Sequence, residues 1–316
     1  MTTSADYIAD NQRHAGVAID ADGDFVVTWT NYRGDDADIY ARRFHSDGTA
    51  DGEAFRVNVY TTNSQTWASV AMNVHGDFVV TWSSLGQEDN NQLGLGYGVY
   101  ARRYDSFGSP LGSEFRVNVV TAADQKFSSV AMAEDGGFLV AWTATQGGIG
   151  DDIVGRQYNA DGTAVTGEVV INDVTAGNQR YPDVAANLDG SVYVVTWTSD
   201  GADGSGNGVM ARQIADLGSI ATEPVAVLVN TSTLGDQMYH SVAMSYDGTY
   251  IVTWSGRGAQ LGEEDARVAF GVARHLLGAC VGENGLGIAA AAPEDHVAAE
   301  VGFEALGVHA VAGDLN

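Results

Sequence analysis

The chain has 316 residues, ample for one large repeat domain, with 40 glycines against 4 prolines and Cys280 as its single cysteine. One cysteine excludes a disulfide framework within the chain and any cysteine-based zinc cluster. The formal charge of −26, with Lys126 the only lysine, repels phosphate backbones and anionic lipid, so nucleic acid and membrane insertion are not expected.

The first residues, Met1 to Asp6, lack the basic and apolar segments of a classical export signal. No apolar run further on approaches the roughly 20 residues of a membrane-spanning helix. From about Asn11 onward the chain repeats itself. A Val-Ala strand and turn, A, comes first in each unit: Val17-Ala18, Val70-Ala71, Val130-Ala131, Val184-Ala185 and Val242-Ala243. A β-branched run ending in tryptophan, B, comes next at Phe25–Trp29, Phe78–Trp82, Phe138–Trp142, Tyr193–Trp197 and Tyr250–Trp254. Strand C carries a small residue and an arginine (Ala41-Arg42, Ala101-Arg102, Gly155-Arg156, Ala211-Arg212). Strand D carries an asparagine (Asn58, Asn118, Asn172, Asn230).

Four antiparallel strands per unit of roughly 40–60 residues predict an all-β chain folded as a β-propeller of four-stranded blades. The units are expected at about 12–64, 65–124, 125–178, 179–236 and 237–274, the last one incomplete. An irregular or partly helical tail is expected over 275–316, with a short helix near Pro293.

Spacing within the unit separates fixed parts from adjustable ones. Each D asparagine stands seven residues before a glutamine: Asn58 and Gln65, Asn118 and Gln125, Asn172 and Gln179, Asn230 and Gln237. The B–C connection alone varies widely in length, as an exposed loop can at little cost. The recurring arginines, glutamines, asparagines and tryptophans are therefore read as blade-building residues. Function is sought in the variable B–C loops.

Those loops carry acids: Asp35, Asp36, Asp38, Glu88, Asp89, Asp151, Asp152, Asp200 and Asp203, with Glu263, Glu264 and Asp265 in the fifth unit. Carboxylates beside flexible glycines are what a calcium shell of six to eight oxygens needs, so calcium is the expected cofactor. Gly147 to Gly155 fits the calcium nonapeptide pattern once. Catalytic residues are not expected. The turn Ser245-Tyr-Asp-Gly-Thr249 departs from the Asp-box of sialidase propellers, and the histidines share no repeat position.

The unit, with its Asp-Gly-x-Phe-Val-Val-Thr-Trp and Tyr-Ala-Arg-Arg-Tyr segments, resembles tandem repeats of very large bacterial secreted and cell-surface proteins, over about residues 11–274. That resemblance implies an extracellular, adhesin-like setting with calcium near by. The expectation is a non-catalytic module for adhesion or matrix display, meeting protein or glycan at the B–C loop face. A carbohydrate-binding propeller, with Tyr32 and Tyr97 as exposed aromatics, and a propeller glycosidase or lyase are the alternatives.

Overall fold

A computed structural model describes residues 11–88, 96–145, 150–231, 233–257 and 268–275, of which Arg257 and 268–275 are described in backbone alone. The chain is all-β, in five consecutive antiparallel sheets whose strands follow sequence order. Blade I holds β1 (Asn11–Ile19), β2 (Phe25–Arg33), β3 (Asp36–Phe44) and β4 (Ala50–Arg56). Blade II holds β5 (Gln65–Met72), β6 (Phe78–Leu85), β7 (Tyr97–Tyr104) and β8 (Phe115–Arg116). Blade III is β9 (Gln125–Met132), β10 (Phe138–Thr145), β11 (Asp151–Tyr158) and β12 (Val169–Val170). Blade IV is β13 (Gln179–Ala186), β14 (Tyr193–Asp200), β15 (Asn207–Ile214) and β16 (Val227–Leu228), with a 3-10 turn at Leu217–Thr222 before its last strand. Blade V shows β17 (Gln237–Met244), β18 (Tyr250–Arg257) and β19 (Val268–His275). The expected blades are present, the fifth with three described strands. The helix expected near Pro293 lies outside the described residues, and no described helix is long and apolar enough to cross a membrane.

Strands β1, β5, β9, β13 and β17 lie against one another in turn and form the inner edge of the array. Four apolar clusters fill the gaps between blades. Trp82 packs with Val26 and Ile39 of blade I, and Trp142 with Val79 and Val99 of blade II. Trp197 packs with Leu139 and Ile153 of blade III, and Trp254 with Val194 and Val209 of blade IV. An indole buries about 150–250 Å², worth several kcal/mol at about 25 cal/mol/Å² and more than any one hydrogen bond nearby. Apolar packing therefore holds blade to blade, and polar groups set the register.

The recurring arginines supply that register. Arg102, Arg156 and Arg212 donate from Nη1 to the carbonyls of Val57, Val117 and Ile171, each the residue just after the last strand of the blade before. Tyr104 and Tyr158 donate to the same Val57 and Val117 carbonyls, at 3.4 and 3.2 Å. The arginines are structural, as their recurrence suggested.

The fixed asparagine–glutamine spacing has an equally direct cause. Asn58, Asn118, Asn172 and Asn230 accept from the buried N–H of Ile39, Val99, Ile153 and Val209 at 2.7–2.8 Å. Gln125 and Gln179 accept the indole N–H of Trp142 and Trp197 at 2.9 and 3.0 Å. Their amide nitrogens cap the carbonyls of Ala122 and Ala176, closing the D–A loop.

Candidate functional site

Every inner strand carries one irregularity, always in the same place. The pairing of A with B slips by one residue opposite the tryptophan, between Arg13 and Gly16, Thr66 and Ser69, Lys126 and Ser129, Arg180 and Asp183, and Met238 and Ser241. A β-bulge of this kind bends the strand and re-aims a side chain. The residue it re-aims is aromatic in all five blades: His14, Trp67, Phe127, Tyr181 and Tyr239, each two positions after the recurring glutamine. All five have φ between 53° and 60°, the left-handed region that bulky residues avoid. The freed amides of Phe127 and Tyr181 donate to Ser83 Oγ and Thr143 Oγ1 of the blade before, at 3.1 and 3.0 Å.

The five rings form a collar at the inner edge, on the face where the D–A and B–C loops emerge. Trp67 lies 4.5 Å from Phe127 and 6.3 Å from His14 between ring centres, and Phe127 lies 4.8 Å from Tyr181. Tyr97, expected as an exposed aromatic of this face, joins the collar instead, 5.3 Å from Trp67 and half-buried. Tyr32 stands under the Arg13 guanidinium. His14 at one end is exposed, Trp67 and Phe127 are half-buried, and Tyr181 and Tyr239 are 51% and 83% exposed, leaving those two tyrosine rings free to meet a ligand.

Beneath the collar, two residues further along each strand, stand Gly16, Ser69, Ser129, Asp183 and Ser241. Asp183 is the one acid in the five inner strands. Its carboxylate accepts from Ser129 Oγ and Ser241 Oγ, at 3.0 and 3.1 Å, and from the amides of Val184 and Val242. It thereby joins blades III, IV and V. His240 lies beside it, with Nδ1 3.4 Å from Thr198 Oγ1 and Nε2 buried without a partner. Burial holds His240 below the usual imidazole range, against the opposing pull of Asp183.

The acids expected to bind calcium are placed otherwise. Asp36, Asp38, Asp151 and Asp152 are strand residues, because the C strands begin earlier than the sequence suggested; Asp200 closes a B strand. In blades I to IV one acid accepts from the D asparagine: Asp38 from Asn58, Glu88 from Asn118, Asp152 from Asn172, and Asp203 from Asn230, at 2.6–2.9 Å. Burial pushes the Glu88 carboxyl above its ordinary value, and the Asn118 bond opposes the shift. Asp151 is buried, accepting from Thr145 Oγ1 and pairing with Arg180. Asp200 accepts from Asn178, while Asp36 accepts from the amide of Ala37. Asp35 is exposed and offers its backbone carbonyl to Ser64. Asp89, Glu263, Glu264 and Asp265 lie outside the described residues, as does part of the Gly147–Gly155 match. Among the described residues no three acids or histidines converge as a metal shell would require.

No family model and no curated protein matches the chain. Solved structures do. A Hadza microbial sialidase aligns with 85% of this chain and 57% of its own length, at 13% identity and a TM-score of 0.55, so this chain spans little more than half of it. The α-L-arabinanase of Penicillium chrysogenum, complexed with arabinobiose, aligns over 79% of this chain and 78% of its own, at 16% identity and a TM-score of 0.53. The α-L-arabinofuranosidase of Fusarium graminearum, bound to an iminosugar inhibitor, gives 77%, 76%, 13% and 0.53. At such identities the likeness is one of fold: a β-propeller. It also corrects the reading of the chain as a non-catalytic adhesion or display module, and the expectation that it is not an enzyme, because the propellers it resembles are glycan-cleaving ones.

Proposed function

We propose that this chain is a glycosidase that seats a neutral sugar chain on the aromatic collar. The collar carries the proposal. Five aromatic residues held at a disfavoured φ, in five blades, cost stability that packing alone has no need to spend, and such strain concentrates where ligands bind. Flat rings with one exposed face suit the apolar faces of sugars, and Tyr181 and Tyr239 expose theirs. A net charge of −26 disfavours acidic sugars. The arabinobiose-bound arabinanase of the same fold supports a neutral substrate.

Hydrolysis ordinarily uses two carboxylates flanking the scissile bond. Asp183 is the candidate at the inner edge. Asp124, Asp151, Asp200 and Asp236 lie at the loop ends of their strands, and the second carboxylate is sought among them. The test is reducing-sugar release from arabinan, arabinoxylan and sialyl-lactose, with binding measured by calorimetry. The expected result is binding and cleavage of a neutral polymer, at least about tenfold weaker binding in Y181A/Y239A, and loss of turnover with retained binding in Asp183→Asn. Neither binding nor release on any neutral glycan would sink the proposal.

A further inference from the structure

Four of the five blades bury their tryptophan face against the blade before. Trp82, Trp142 and Trp197 are fully buried there, and Trp254 nearly so. Blade I presents the same face with a different outcome. Phe25, Val27, Trp29 and Phe44 remain half-buried, while Val17 and Ile19 are 66% and 63% exposed. Among the described residues nothing covers the complementary face at the other end: Thr253 is exposed and Ile251 half-buried, although their counterparts Thr81, Val79, Thr196 and Val194 are fully buried under the next blade.

We propose that the tryptophan face of blade I docks the outer face of blade V of a second copy of this chain. The argument is continuity: the two free faces are the two halves of an interface the molecule already makes four times, in the same register and with the same residue types. An apolar sheet face of this extent on a monomer ordinarily marks an interaction surface. The contact is heterologous, joining one end to the other, so each copy keeps one face for a further copy unless the ring closes. Two molecules of charge −26 repel, so salt should strengthen this apolar association where it would weaken an ion-paired one.

Sedimentation equilibrium over a concentration series, in low and in about 0.5 M salt, tests it. Self-association that strengthens with salt is expected. Val17→Glu/Ile19→Glu and, separately, Thr253→Arg should each weaken it at least about tenfold, because each buries charge in an apolar contact. Circular dichroism should be unchanged, since all three positions stand at the ends of the array. A monomer at every concentration overturns the proposal; if the blade I variant then also lowers the melting temperature, the two faces close within one molecule. Association broken by the blade I variant and untouched by Thr253→Arg would mean a back-to-back dimer, and overturns it too.

Discussion

Tyr239 holds a φ of 53° with its side chain mostly in water. An L-residue in the left-handed region pays roughly 1–2 kcal/mol unless its side chain is small or bonds locally, and asparagine tolerates the region best after glycine. Tyr239→Asn should therefore leave thermal stability unchanged or raise it by up to about 1 kcal/mol, while sugar affinity falls about tenfold. Thermal melts beside calorimetry decide the matter; a clear fall in melting temperature would show that the ring is packing and not a platform. Trp67→Asn is the contrast. That indole sits between Phe127, Tyr97 and His14, so the same relief of strain is outweighed by lost ring contacts and the protein melts earlier. The collar shows why a residue-level reading of sequence can miss a site. Histidine, tryptophan, phenylalanine and two tyrosines look unrelated in composition, and φ is invisible in one dimension. Their common offset from the recurring glutamine was the available signal.

At the scale of one blade, the D asparagine connects the last strand, the third strand and the loop acid. Asn118 accepts from Val99 N–H and donates both amide hydrogens, to Glu88 at 2.6 Å and to the Val120 carbonyl at 2.8 Å. Asn118→Ala leaves a buried amide and a half-buried carboxylate without this partner, which should cost roughly 2–4 kcal/mol. Glu88→Gln keeps an acceptor oxygen in place and should cost well under half of that. Urea unfolding midpoints measure both, and equal losses would show that Glu88 and not the asparagine holds the loop. The seven-residue interval from asparagine to glutamine was plain in the sequence because both ends are bonded to fixed parts of the blade. The acids were read as loop residues because the length from Trp82 to Ala101 differs so much from that between Trp29 and Ala41. Length variation hid that in each of blades I to IV one acid between strands B and C, or at the start of C, meets that blade's D asparagine. A spacing survives in sequence when a bond fixes it; a partner reached across a loop of variable length does not.

Over the whole molecule, the order of strands and the packing of tryptophans between blades could be read from repetition alone, since each blade must bury what its neighbour offers. The uncovered ends could not, because a terminal unit has the same sequence pattern as an internal one. The inter-blade tyrosines give the assembled array a pH limit. Burial pushes Tyr100, Tyr104, Tyr158 and Tyr193 up to about 12 from an ordinary value near 10. In the unfolded chain these phenols lose their protons near pH 10, whereas in the folded one they keep them, so folding holds more protons than unfolding between those values. Stability from this source is complete below pH 10 and falls as pH rises through 12. Ionisation also removes the hydroxyl donors that Tyr104 and Tyr158 extend to the Val57 and Val117 carbonyls of the preceding blades. Alkaline unfolding should accordingly set in above pH 10 and separate the blades cooperatively, with phenolate absorbance rising in step with loss of the tryptophan signal. Tyr104→Phe/Tyr158→Phe should be less stable than the parent at pH 7, having lost two hydrogen bonds. Its disadvantage should shrink by pH 11, because two of the groups that drive unfolding there are gone. A disadvantage that stays constant from pH 7 to 11 would show that these phenols do not couple proton release to the separation of the blades.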